Sequence, residues 1–354
     1  MRIAMLQKKI VPGDLCWIAE PHDLFYFTGL ELSTGELFVA KEEARLFVDG
    51  RYIQVAREQT IIPVELAREA APLQFLQKVG ANRLLFHGEC TSFDQYQKLA
   101  SWQKKIPGLQ VVAETGFFHR MRSNKDADEV EAMRKSAMLN WQGFQFLCKE
   151  LRENVTEKEL ARAFELYVLE HGADALSFSP IIAFGANSAM PHYKPQDVPL
   201  KKGDLVLIDI GVILDHYCSD LTRVIAFHSI PKGFDQLYKI VHEAQKAALS
   251  HVRPGVKIRE LDLAARRIMK REGVEELYLH SLGHGVGLEI HEFPRLRSVG
   301  EDCDAQLEAG MAITIEPGLY RAGQGGIRYE DTIIVTKTGY ENFYPEMREC
   351  SILR

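Results

Sequence analysis

The chain has 354 residues, 46% hydrophobic and 26% charged, with a formal net charge of −6. That length fits about two domains, and such a composition buries a sizeable core without disulfide staples. The negative balance argues against nucleic acid or an anionic membrane surface as partner, and no apolar run is long enough for a membrane span. Residues 1–115 alternate short apolar runs with helical stretches. Strands are predicted at Leu15–Ile18, Leu46–Val48, Ile61–Leu66 and Arg83–Phe86, and a helix over Arg51–Gln59 after the turn signal Asp49-Gly50. Alternation of this kind predicts a small α/β layer. The polar stretch from Arg120 to Asp126 marks a boundary, giving domains of 1–120 and 121–354. Beyond it Val130, Met133, Ala137 and Trp141 fall at helical spacing on one apolar face.

The C-terminal part repeats itself. V-T-E-K-E-L-A from Val155 and V-K-I-R-E-L-D from Val256 lie 101 residues apart, and Arg152/Arg253, Glu159/Glu260, Leu160/Leu261, Ala163/Ala264 and Gly172/Gly273 match at that offset. Each copy reads as an amphipathic helix ending at a glycine suited to a left-handed cap. Thr156 and Glu159 form a capping box in the first. Farther on, Gly203-x5-Asp209-x-Gly211 is echoed by Gly310-x5-Glu316-x-Gly318, and Asp220-Leu221-Thr222 by Glu330-Asp331-Thr332. Each half thus supplies a helix and two strands, with one carboxylate per strand.

Those carboxylates are the chemistry of the chain. Asp209 ends V-L-I-D-I-G, a buried-strand pattern, and Glu316 ends I-T-I-E-P-G. Asp220 lies in C-S-D-L-T-R and Glu330 in I-R-Y-E-D-T, just before a β-rich run. A carboxylate beside an apolar strand costs several kcal/mol unless it is paired or metal-bound, and several together repel unless a cation neutralises them. His284 stands between two glycines in a stretch holding three histidines in 12 residues. The small neighbours leave room for the backbone to approach a metal or substrate. Oxygen donors with one imidazole suit Mn²⁺, Co²⁺ or Zn²⁺, and bridging carboxylates can hold two such ions.

With the order Asp, Asp, His, Glu, Glu complete, the sequence resembles the pita-bread (creatinase/methionine aminopeptidase-like) metallopeptidase family, in its prolidase and aminopeptidase P branch. The resemblance spans essentially the whole chain. It implies an α/β (α+β) protein: a pseudo-symmetric pita-bread domain preceded by a smaller creatinase-type α/β domain. It further implies two divalent metal ions per subunit, Mn²⁺ first with Co²⁺ or Zn²⁺ as alternatives, held by Asp209, Asp220, His284, Glu316 and Glu330. Glu316 would also be the general base. His192, in M-P-H-Y-K-P, and His291 match the histidines that handle substrate and tetrahedral intermediate. Arg328 and Thr222 would stand behind the carboxylates. Phe178 and Ile181, in S-F-S-P-I-I-A-F-G, match positions lining the proline side, with plain core residues as the other reading. Arg295, in H-E-F-P-R-L-R, resembles the group that binds a dipeptide's free carboxylate, with a solvated arginine as the other reading and Arg297 as a competitor.

The implied function is hydrolysis of Xaa-Pro bonds in small peptides with proline second: a dipeptidase (prolidase), or aminopeptidase P acting on longer peptides. A metal-free creatinase-like hydrolase and a non-catalytic binding module share the fold, and the intact ligand set argues against both. The proline-directed relatives imply a homodimer, with Asp49-Gly50-Arg51-Tyr52 as a candidate contact loop and an ordinary turn as the other reading. Six cysteines without C-x-x-C spacing and an N-terminus without a signal-type apolar core predict a cytoplasmic location.

Overall fold

The computed structural model describes residues 2–68, 70–347 and 350–353. The chain divides into two compact units, Met1–Arg122 and Ser123–Arg354. Among the described residues, no helix is long and apolar enough to cross a membrane.

The first unit is built on a six-stranded mixed sheet in the order Val64–Leu66, Ala44–Val48, Glu36–Ala40, Asp14–Ile18, Arg83–His87, Gln110–Glu114. The central strand Asp14–Ile18 runs antiparallel to Glu36–Ala40 and parallel to Arg83–His87. Leu15 and Trp17 point to one face by the period of two, where they join Phe38, Phe47, Phe75 and Trp102 in an aromatic core. Three of the strand expectations and the helix, which starts at Ile53, are met to within a few residues. The fourth strand is shorter than expected: it begins at Val64, because pairing starts where Leu46 donates to Pro63 O, and Ile61 is 97% exposed. The polar stretch near residue 122 includes the last turn of helix Phe117–Ser123. Arg122 is buried there, 3.1 Å from the carboxylate of Asp23.

The second unit shows the internal repeat as structure. Helices Ala127–Glu150 and Glu157–Glu170 cover strands Leu205–Ile210 and Leu221–Phe227, while Phe234–Leu249 and Ile258–Arg271 cover Ala312–Ile315 and Asp331–Val335. Each strand pair is antiparallel. Gly172 and Gly273 take positive φ of 99° and 68°, and the matched Gly203 and Gly310 take 88° and 92°. The Thr156–Glu159 capping box forms, whereas Lys257 at the equivalent position makes no side-chain cap. Met133 and Ala137 are buried on the long first helix, with Val130 and Trp141 half-buried.

The two sheets meet at a bridge between Thr222 and Glu330, where Glu330 N donates to Thr222 O at 3.2 Å. Arg223, fully buried, donates to Thr222 O, to Glu330 O and to the Asp331 carboxylate. This seam brings the carboxylates of both halves to one place.

Candidate metal centre and substrate cavity

Strand register places the first donors. Asp209 pairs with Ile181 on one side and Thr222 on the other, and Thr222 bridges to Glu330. A single lateral row therefore runs Ile181, Asp209, Thr222, Glu330. Along its own strand Asp209 shares the face of Leu205 and Leu207, both core residues, so the carboxylate occupies what would otherwise be apolar interior. Asp220 and Glu330 each sit one residue before a strand, and Glu316 one residue after Ala312–Ile315.

All five donors line one cavity of about 590 Å³. His284 Nε2 lies 3.6 Å from Asp220 Oδ2 and 3.4 Å from Glu316 Oε1. Donor atoms of Asp220, His284 and Glu330 all fall within 4.8 Å of one another. Thr222 lies behind the floor: its hydroxyl donates to Glu330 Oε2 at 2.6 Å and accepts from Arg328 Nε at 3.1 Å. Arg328 also ion-pairs through Nη2 with Asp209 Oδ2, and its Nη1 donates to the Tyr320 hydroxyl at 2.9 Å.

The electrostatics call for a cation. Burial raises the pKa of Asp209, while burial and the Glu330 charge push Asp220 well above the ordinary carboxylate range. Burial lifts Glu316 to about 8, and burial with the Glu316 charge raises Glu330. One guanidinium does not offset four carboxylates. Burial, then His291, lower His284 to about 3, keeping it neutral. Its Nδ1 faces Gly285 O at 3.0 Å, so the proton belongs on Nδ1 and the Nε2 lone pair faces the carboxylates. Asp209 Oδ1 is buried without a hydrogen-bond partner. A neutral imidazole, four crowded carboxylates and an orphaned carboxylate oxygen together fit divalent metal.

The glycines beside His284 also serve a packing purpose that the sequence does not reveal. A Cβ at Gly283 would lie 2.2 Å from Thr314 O, and one at Gly285 would lie 2.2 Å from Phe293 O. They admit the neighbouring strands, and Gly283 also lines the cavity.

The remaining sequence candidates surround the cavity. Phe178 and Ile181, both half-buried, form part of its apolar wall, while His192, His291 and Arg295 stand on its exposed side. The His291 ring packs edge-on against His284 at 4.4 Å. Arg295 is the cross-strand partner of His284 and lines the cavity, whereas Arg297 bonds to Glu301 O and does not line it.

Sequence reasoning missed His280 and Tyr320. The His280 ring contacts the Tyr320 hydroxyl at 2.9 Å through Nε2, extending the chain Asp209–Arg328–Tyr320. Burial, then Arg328, hold His280 down to about 4. His280 was visible as the first histidine of the His-rich stretch. Tyr320 carried no signal, since G-L-Y-R reads like any strand.

Comparison with known proteins agrees with this geometry. Residues 131–337 match the model of metallopeptidase family M24, and residues 3–124 match the creatinase/prolidase N-terminal domain. The chain is 35% identical to an Xaa-Pro dipeptidase from Pyrococcus furiosus over 95% of its own length and 94% of the relative's. Its fold is similar to the solved structure of an Xaa-Pro dipeptidase from Bacillus anthracis, with a TM-score of 0.91 and 30% identity over 99% and 98% of the two chains. An X-Pro aminopeptidase from Thermotoga maritima is also similar, with a TM-score of 0.88 and 27% identity over 98% and 100%. The family implies divalent metal ions, which the donor set fits. The chain belongs to metallopeptidase family M24, with a creatinase-type N-terminal domain ahead of a pita-bread metallopeptidase domain.

Proposed function

We propose that the protein is an Xaa-Pro dipeptidase working with two divalent ions, Mn²⁺ first, held by Asp209, Asp220, His284, Glu316 and Glu330. The observation that carries this reading is the convergence of those five side chains on the floor of one cavity whose exposed side holds Arg295. Asp209 would serve one ion, Asp220 and Glu330 both, and His284 the other together with Glu316. Bound ions supply Lewis acidity and a water acidified towards neutrality.

The chain's own residues do the rest. Glu316 takes the proton of the attacking water and returns it to the leaving nitrogen, a secondary amine in proline. Glu316, raised by burial, would regain the ionised form a base needs with a dication held beside it. His291 and His192 hold the scissile carbonyl and stabilise its developing negative charge. Phe178 and Ile181 face the proline ring, which has no N–H to recognise. Among the described residues the Arg295 side chain makes no hydrogen bond or ion pair, so its guanidinium is available for a free carboxylate.

The similarity to an X-Pro aminopeptidase structure supports the second reading, cleavage of longer Xaa-Pro peptides. Metal-stripped protein, reloaded with Mn²⁺ and assayed on Xaa-Pro dipeptides and Xaa-Pro-Yaa tripeptides, separates the two. About two equivalents of Mn²⁺ and a dipeptide preference are expected. Tripeptide preference selects the aminopeptidase, and less than one equivalent with no cleavage rejects both. The proposal includes a homodimer in the cytoplasm; six cysteines without C-x-x-C spacing and the exposed Asp49–Arg51 turn are consistent with it, and sedimentation tests the dimer.

A further inference from the structure

The N-terminal unit carries its own cluster of metal-type side chains. His87 closes strand Arg83–His87, Glu89 and Cys90 follow in the turn, and His119 projects from helix Phe117–Ser123. Donor atoms of His87, Cys90 and His119 all lie within 4.8 Å of one another. Glu89 Oε2 lies 3.0 Å from His119 Nδ1 and 3.6 Å from His87 Nε2. Two imidazoles, a thiol and a carboxylate thus surround one point.

The setting of His87 is the independent sign. Its ring is only 5% exposed, and Nδ1 lies 2.8 Å from Oδ2 of the fully buried Asp23. Asp23 is held in turn by Arg122 at 3.1 Å. A carboxylate at Nδ1 fixes that tautomer and turns the Nε2 lone pair outward, the arrangement typical of a metal-ligating histidine. His87 Nε2 is buried and has no hydrogen-bond partner. Leaving such an atom unsatisfied costs about 1–3 kcal/mol. A buried polar network through Asp23 and Arg122 accounts for Nδ1 but gives Nε2 nothing to do.

We propose that His87, Glu89, Cys90 and His119 bind one thiophilic dication, Zn²⁺ by the chemistry of the donors. Bond lengths of 2.0–2.3 Å in a tetrahedron place donors about 3.3–3.8 Å apart, so the cluster closes by roughly 1 Å on binding. Glu89 and Cys90 belong to an exposed turn that can make this movement. Thiolate with imidazole favours Zn²⁺ over Mn²⁺, whereas the oxygen-rich cavity accepts both. Binding releases the thiol proton to solvent and ties the helix to the end of the strand.

Full-length protein loaded with Co²⁺ as the probe tests the assignment. The expected result is a thiolate-to-cobalt charge-transfer band in the near ultraviolet, absent from Cys90→Ser and weakened in His119→Ala. Elemental analysis of Zn²⁺-loaded protein should give one equivalent more in the wild type than in Cys90→Ser. Thiol reagents should modify Cys90 at least tenfold more slowly with Zn²⁺ than with Mn²⁺. Mn²⁺-dependent peptidase activity should be the same in Cys90→Ser and wild type. No such band in the wild type, an equal band in Cys90→Ser, or equal zinc content in the two proteins would overturn the proposal. The exposed position of Cys90 makes its serine variant a safe one to fold.

Discussion

Lys125 Nζ and Glu292 Oε2 are 2.8 Å apart, with both side chains only 1% exposed. The pair joins the start of the second unit to the strand that carries Arg295, across 167 residues of sequence. Gly287 exists to admit it: a Cβ there would lie 2.6 Å from Glu292 Oε2 and 2.8 Å from Lys125 Nζ. The strand that carries His291's neighbour Glu292 and Arg295 thus rests on a buried ion pair and a glycine.

Removing Lys125 leaves the Glu292 carboxylate buried without its cation. Lys125→Met should therefore lose about 3–5 kcal/mol of stability, read as a lower denaturant midpoint. Lys125→Met combined with Glu292→Gln should recover part of the loss, because the orphaned carboxylate is gone. A double variant as unstable as the sum of its single changes would show that the two side chains do not act as a pair.

The strand carrying His284 depends on contact between backbones. Gly283→Ala should cost on the order of 3 kcal/mol and reduce metal affinity, since a Cβ there meets Thr314 O at 2.2 Å. Gly339→Ala is the control, with nothing within 4 Å of its added carbon. Differential scanning calorimetry of the two variants checks this; equal melting points would reject the packing argument.

This glycine also shows what sequence reading could and could not reach. The five side chains that converge on the cavity were legible because each lies in a short local pattern whose burial a carboxylate or imidazole contradicts. The repeat was legible because matched helices and matched left-handed glycines recur in order. The packing role of Gly283 was not legible, because the carbonyl it admits belongs to Thr314, 31 residues away and visible only once the strands pair. The roles of Tyr320, His280 and Lys125 were missed for the same reason: their partners are distant in sequence and meet them only in the fold. The strand expected from Ile61 begins three residues later, at Val64, because apolar character alone cannot say where pairing begins.

Thr222 connects Arg328 to Glu330 through one hydroxyl. Thr222→Val keeps the shape of the side chain and removes both hydrogen bonds. Metal affinity should fall about 10–100-fold, the usual effect of losing a group that orients a ligand, with little change in secondary structure. Calorimetric titration with Mn²⁺ measures it, and unchanged affinity would remove Thr222 from the site.

Acid stability has a local contribution in the first unit. Glu20 caps helix Pro21–Thr28, accepting from Asp23 N at 2.7 Å and bonding to His22 at 2.9 Å. Burial raises its pKa, but these hydrogen bonds outweigh it and bring the carboxyl to about 2. A carboxyl depressed on folding stabilises fully above its unfolded pKa, and that contribution fades as pH falls through the folded value. Glu20→Ala should therefore cost about 1 kcal/mol at pH 7, the usual effect of losing a cap, with the ion pair to His22 adding little because it is partly solvent-screened. The gap between variant and wild type should narrow below about pH 4.5 and close near pH 2. Urea titrations at stepped pH test the sign; a gap that widens in acid would contradict it.

Arg295 decides between the two substrate readings, because a free carboxylate exists at proline only in a dipeptide. A charge-assisted hydrogen bond is worth about 1.5–3 kcal/mol, so Arg295→Ala should lower kcat/KM for Xaa-Pro dipeptides by about 10–150-fold. Tripeptides, whose carboxylate lies one residue farther on, should lose less than about threefold on the same scale. Arg297→Ala should leave both substrates unaffected, since that side chain bonds to Glu301 O outside the cavity. Lys194 also lines the cavity and can meet a carboxylate there, whereas Arg328 is committed to Asp209. If Arg295→Ala spares dipeptides and Lys194→Ala does not, the clamp belongs to Lys194; if both lose dipeptide and tripeptide turnover equally, no carboxylate clamp exists and the aminopeptidase reading gains the argument.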